Sequence, residues 1–173
     1  MVGELTYFLG LQVKQTDKGI YINQAKYAII IIIIINFKKK NLLKRFGREN
    51  ASHARMPMAT NTKLGIDPSI QLVNIPLYRS MISCLLYLTA SHPDISFSVG
   101  VCARFQANLK MSHLIVVKRI IKYVSGTSDF GLFYSQESNV SLAGYSDIDW
   151  AGNANDRKSI IGGCFYVGTN LVV

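Results

Sequence analysis

Cysteine, proline and acidic side chains are all scarce in this chain. Its three cysteines, Cys84, Cys102 and Cys164, are odd in number, far apart and without a Cys-x-x-Cys pair. That excludes a disulfide scaffold and reads as the reduced thiols of an intracellular protein. His53, His92 and His113 have no zinc-ligand spacing with one another or with the cysteines. The longest apolar run, Ala28 to Ile35, has 8 residues, against roughly 20 for a membrane-spanning helix. No basic stretch, apolar stretch and small-residue site succeed one another after Met1. A secreted or host-acting effector is therefore not expected, and the expectation is an intracellular protein of cytoplasm or nucleus with no membrane partner. With 49% hydrophobic and 17% charged residues, the chain is too apolar to be disordered throughout.

What is present is basic. Lysine and arginine number 19 against 10 aspartates and glutamates, a formal net charge of +9. The excess sits at the front: residues 1–60 carry a balance of +7 and residues 61–173 a balance of +2. Such a surface neutralises phosphates and gives salt-dependent, sequence-blind affinity for nucleic acid. The plainer reading is a solvated face, with Lys38-Lys39-Lys40 keeping the chain soluble.

Along the chain, Tyr7 to Lys14 and Gly19 to Asn23 alternate apolar and polar residues around a polar turn at Gln15 to Lys18, which predicts a β-hairpin. A helix is expected from about Gln24. It runs into seven consecutive isoleucines, Ile29 to Ile35. A homopolymer has no amphipathic period to choose a buried face, and it carries the signature of a β-aggregating segment. Expansion of a short A/T-rich codon repeat explains it more simply than a deliberate hydrophobic anchor. Gly47 is a plausible helix stop, and residues 50–75, broken by Pro57, Gly65 and Pro68, read as a linker.

Helical signals return with Pro76 in a first turn and a stripe of Leu77, Met81, Leu85 and Leu88. Pro93 opens a second helix with Ile95, Val99 and Cys102 on one side. Ser112 is the expected N-cap of a third, whose stripe is Leu114, Val117, Ile121 and Val124 and whose stop is Gly126. Strands are expected over Phe130 to Tyr134, Val140 to Ser146 and Ile160 to Val167.

Gly144-Tyr145-Ser146-Asp147-Ile148-Asp149-Trp150-Ala151-Gly152, with Asp156-Arg157-Lys158-Ser159 after it, resembles the Ty1/copia class of retrotransposon polyproteins at the start of their ribonuclease H domain. Pro76 to Ile82, Leu85-Leu86-Tyr87-Leu88, Pro93-Asp94-Ile95, Ser112-His113-Leu114 and Lys118 to Tyr123 resemble the segment linking reverse transcriptase to ribonuclease H. Gly3 to Gly10 resembles the end of the polymerase palm. The likeness is to plant elements and spans nearly the whole chain apart from about Ile29 to Asn41.

The resemblance implies an α+β fragment: an N-terminal hairpin, central helices and the first strands of an incomplete ribonuclease H-like sheet. Its divisions are 1–56, a reverse transcriptase remnant with a low-complexity insert at 29–40; 57–75, a linker; 76–128, a helical connection; and 129–173, a truncated ribonuclease H start. It further implies that Phe8, Leu9 and Gly10 are a nucleic-acid-binding hairpin of primer-grip type. Asp147 would be the first metal-ligating catalytic carboxylate of ribonuclease H. Cleaving the RNA strand of an RNA–DNA hybrid needs several carboxylates around two Mg²⁺ ions, and Asp147 is the only one of that set matched here. No Tyr-x-Asp-Asp occurs, so the polymerase carboxylates are missing too. His92 stands where the family usually has arginine, Ile160-Ile161 where it has threonine and serine, and Met111 where it has glutamate.

The expectation is thus a catalytically inactive fragment. No cofactor of its own is expected, with Mg²⁺, RNA–DNA hybrid and primer-template belonging to the intact parent. The alternative is a domesticated, non-catalytic nucleic-acid-binding protein. The hairpin and the C-terminal strands are expected to be poorly protected, each lacking sheet partners.

Overall fold

The structure, a computed structural model, describes residues 4–43, 53–59, 64, 74–107, 109–136, 141–149 and 160–172. Strands β1 (Tyr7–Phe8), β2 (Leu11–Thr16) and β3 (Gly19–Asn23) form two successive tight hairpins. Helix α1 (Ala25–Leu43) follows, then α2 (Ile75–Leu88), a 3-10 turn over Pro93–Ile95, α3 (Ser96–Ala103) and α4 (Met111–Gly126). Strands β4 (Gly131–Ser135), β5 (Leu142–Asp149), β6 (Ile160–Val167) and β7 (Asn170–Leu171) complete the α+β order. Among the described residues, no helix is long and apolar enough to cross a membrane.

The sheets do not divide as the hairpin pattern suggests. β4 pairs antiparallel with β3, from Gly19 opposite Ser135 to Asn23 opposite Gly131. The first sheet therefore runs β1-β2-β3-β4 and the second β5-β6-β7. The N-terminal hairpin is not short of a partner: its third strand is completed by one from the other end of the chain. No local pattern encodes a pairing over such a distance. The side chain of Asn170 also reaches the β4 edge, donating to the Ser135 carbonyl at 3.1 Å and accepting its N–H at 2.7 Å, as a peptide group would.

The helices build the core. Tyr78, Met81, Ile82, Leu85 and Leu88 of α2 pack with Ile95, Val99 and Cys102, and with Val116, Val117, Ile120, Ile121 and Val124 of α4. At about 1.5–3 kcal/mol for each large apolar side chain taken from water, these contacts dominate the fold's stability. The expected stripes lie on the buried faces, although Leu77 and Leu114 sit at their margins. Asn74 caps α2, its Oδ1 accepting the Leu77 N–H at 2.9 Å, and Pro76 stands in the first turn. At α4 the cap differs from expectation. Ser112 lies inside the helix, Lys110 is the N-cap, and the His113 ring accepts the Lys110 N–H at 3.1 Å. The ring at the third helical position thus takes the part of the N3 side chain of a capping box, whereas the expected serine cap would have accepted a first-turn N–H.

The isoleucine run is helical. Ala28 and Ile31 are buried against the core, whereas Ile29, Ile30, Ile33 and Ile34 are about half exposed. Tertiary packing selects the buried face that the homopolymer leaves unspecified. Residues 53–58, within the irregular stretch read as a linker, are strapped along α4. The Arg119 Nε donates to the Met56 carbonyl at 3.1 Å, the His53 Nδ1 lies 3.1 Å from the Ser125 Oγ, and Met58 packs on the core, as does Leu64. The expected helix stop at Gly47 lies outside the described residues.

Candidate nucleic-acid interface

Phe8-Leu9-Gly10 forms the tip of the first hairpin. Phe8 pairs with Leu11, leaving Leu9 and Gly10 as a two-residue loop with φ values of 48° and 79°. Two positive φ angles define a type I′ turn, whose twist matches that of the flanking strands. Glycine occupies the second position at no steric cost, while leucine in the first is strained. A Cβ at Gly10 would also run into the Tyr87 hydroxyl. That hydroxyl, on α2, donates to the Leu9 carbonyl at 2.5 Å. The strained turn is thereby tied to the helical core.

Around this tie lies an aromatic and basic cluster. The Tyr27 ring meets Tyr87 edge-on, with centroids 4.7 Å apart. Burial raises the Tyr27 hydroxyl to about 12, reinforced by Cys84 and Tyr87. The Lys26 Nζ stands 4.7 Å from the Tyr7 ring centroid, and the Lys26 N–H donates to the Gln12 Oε1 at 3.0 Å. The tip thus presents exposed Tyr7, Phe8 and Leu9, the last 76% exposed, beside one cation. Rings that can stack on bases next to a charge that can meet phosphate are what a nucleic-acid surface requires. Sequence reasoning named Phe8, Leu9 and Gly10 but read Tyr7 to Lys14 as one strand, which the turn at Leu9-Gly10 divides, and it did not name Tyr87, Tyr27 or Lys26, which only the fold brings beside them.

A second basic surface lies on α4. Ile115, Lys118, Arg119 and Lys122 follow the helical period on the side away from the core, and Ile115 is 59% exposed. No carboxylate belongs to that stripe.

Behind α4 is a buried polar group. His92, fully buried, places its Nδ1 3.7 Å from an Asp94 oxygen, while the Tyr123 hydroxyl donates to the other at 2.6 Å. Burial pushes the Asp94 carboxyl up, but His92 and Tyr123 outweigh it and hold the group below its ordinary value.

Asp147 lies in the other sheet, exposed on β5 and opposite Gly162 of β6. β5 continues through Asp149. Among the described residues, no cluster of three or more histidine, cysteine or acidic side chains forms a metal site. Among the described residues, Asp147 therefore has no companion donors to hold a pair of Mg²⁺ ions, which need several carboxylates to bridge them.

Comparison with known proteins decides the lineage. The chain is 33% identical over 165 residues to the retrovirus-related Pol polyprotein from transposon RE1 of Arabidopsis thaliana, covering 95% of this chain and 10% of the relative. It is 32% identical over 165 residues to the corresponding protein from transposon RE2 of the same plant, covering 95% of this chain and 11% of that relative. The chain belongs to the Pol polyproteins of copia-type retrotransposons. This Pol segment spans about a tenth of the length of those relatives. It is also 34% identical over 100 residues to a protein named secreted RxLR effector protein 161 from Plasmopara viticola, covering 57% of this chain and 70% of that one. No protein-family model and no solved structure matches the Pol segment.

Proposed function

We propose that this chain is the part of a copia-type Pol polyprotein that joins reverse transcriptase to ribonuclease H. In this reading it holds nucleic acid and catalyses nothing by itself. Residues 1–56 descend from the palm, 57–75 link, 76–128 form the connection and 129–173 open the ribonuclease H domain. The observation that carries the reading is the hairpin tip, where Tyr87 fixes a strained turn so that Phe8 and Leu9 remain exposed. A contact surface of this kind suits the primer strand of a primer-template or an RNA–DNA hybrid. Asp147 is the single carboxylate of the catalytic set that the resemblance matches, and that is the ground for expecting the isolated chain to be inactive. Mg²⁺ chemistry belongs to the longer parent. The three unpaired cysteines support work inside the cell.

The test is binding of an RNA–DNA hybrid across a salt series, with a cleavage assay in Mg²⁺. Binding that weakens steeply with salt, and no cleavage above background, is expected. Cleavage abolished by Asp147→Asn would overturn inactivity, and absence of binding at low salt would overturn the nucleic-acid role. The basic face of α4 favours a second reading, a domesticated binding protein. That reading requires specific affinity of about 10⁻⁸ M or tighter at physiological salt.

A further inference from the structure

The segment from His53 to Met58 and the outward side of α4 form one surface. The His53 Nδ1 lies 3.1 Å from the Ser125 Oγ, and three residues later the Met56 carbonyl accepts the Arg119 Nε–H at 3.1 Å. The segment therefore runs antiparallel to α4 between two ties. A Cβ at Gly126 would stand 3.0 Å from the His53 Cβ, so the glycine lets the segment settle on the helix end. Arg55 falls between His53 and Met56 as Lys122 falls between Ser125 and Arg119, which brings the two cations alongside one another.

Arg55, Lys118, Arg119 and Lys122 are thus gathered from two stretches that meet across 63 residues of sequence. Arg55 is exposed and the other three are partly so. Among the described residues, none of the four makes an ion pair. The carboxylate bonded to α4 beside them, Asp94, is occupied by the Tyr123 hydroxyl at 2.6 Å and faced by His92. Like charges collected without a counter-charge repel and cost stability, and they attract a polyanion. Ile115, 59% exposed, and Met56, 49% exposed, stand in the same surface. Lys118 and Lys122 are about 6 Å apart along the helix axis, close to two nucleotide steps of roughly 3.4 Å on one strand.

We propose that α4 and the segment strapped to it form one seat for the phosphate backbone of a nucleic-acid duplex, separate from the hairpin tip. Lys118 and Lys122 meet phosphates two steps apart on one strand, and Arg55 meets a further phosphate beside Lys122. Ile115 and Met56 rest on the sugars between them. The seat rests on the nucleic-acid reading above and adds a division of labour to it: rings at the tip stack on bases, while this face holds charge and fixes the duplex in place. Residues 53–58, within the stretch expected to be a linker, are thereby part of the interface.

The experiment measures affinity for an RNA–DNA hybrid between about 50 and 200 mM salt. It compares the native chain with the double variant Arg55→Gln, Lys122→Gln. A control of equal net charge, Lys14→Gln with Lys18→Gln, removes two exposed lysines at the turn between β2 and β3. Matching urea midpoints establish that every variant is folded. Each neutralised phosphate contributes about 0.9 to the slope of log affinity against log salt. The first variant should lose about two from that slope, so that its fall in affinity over the series is about tenfold smaller, and the control should keep the native slope. Equal slopes for the two variants, with the native chain binding, would overturn the seat and leave the nucleic-acid reading standing. Failure of the native chain to bind at low salt would overturn both. Displacement of labelled hybrid by polyglutamate as readily as by unlabelled hybrid would assign the face to an acidic polypeptide and also overturn the seat.

Discussion

The Tyr87 hydroxyl donates to the Leu9 carbonyl at 2.5 Å across 78 residues of sequence. This bond joins the outward side of α2 to the hairpin tip and makes the tip a fixed surface. Removing it in Tyr87→Phe, with the ring retained, should cost about 1 kcal/mol. Urea unfolding reads the loss, and amide exchange at Gly10 and Leu11 should accelerate more than exchange in α4.

Leu9 separates stability from binding. A left-handed leucine costs roughly 1–2 kcal/mol, and Asn-Gly is the favoured pair for a type I′ turn. Leu9→Asn should raise stability by about 1 kcal/mol, because its exposed side chain gives up little packing. The same variant should weaken hybrid binding if the tip is the contact. A gain in stability with unchanged affinity would remove Leu9 from the interface.

Within the isoleucine run, position decides the cost. Ile31 is 3% exposed and Ile33 60%. Ile31→Ala should destabilise by about 2–5 kcal/mol. Ile33→Lys should stay within about 0.5 kcal/mol and improve solubility. Thermal melts and light scattering distinguish the two.

Alkali should unfold the chain. Burial raises the Tyr27 and Tyr123 hydroxyls to about 12, Tyr123 with added help from Asp94, and raises Tyr78 above its ordinary value of 10.0. Burial likewise raises the Cys102 thiol to about 12. As pH passes the unfolded values, the unfolded chain sheds protons that the folded chain keeps, so stability falls as pH rises. Urea midpoints should decline between about pH 9 and about pH 12, and Tyr123→Phe should flatten part of the slope.

The helices were legible because each carries its own period: Met81, Leu85 and Leu88, or Val117, Ile121 and Val124, announce a buried face within a few turns. The turn at Leu9-Gly10 was not legible, because the alternation runs on from Tyr7 to Lys14 and reads as one strand, with the polar turn at Gln15 to Lys18 as its only break. Nor was Tyr87, because nothing local distinguishes an outward tyrosine from one that reaches a distant carbonyl. The pairing of β3 with β4 was illegible for the same reason. The mistaken cap at Ser112 had a different cause, since the helix starts after Lys110, a residue type that sequence rules do not read as an N-cap. Phe8, Leu9 and Gly10 could be proposed from sequence, but the turn they form and the groups that fix it could not.

The first sheet also sets an order of events during synthesis. Tyr21 on β3 donates to the Asp129 carbonyl, 108 residues later, beside the strand that completes the sheet. At ~5–20 residues per second the ribosome needs roughly 5–20 s to cover that distance. For most of that interval the isoleucine run already exists, while α4, one of the two helices against which α1 packs, is made only towards its end. The nascent chain therefore presents its stickiest segment well before its cover is complete, and its yield in a cell should depend on chaperones that shield that segment until α4 has emerged.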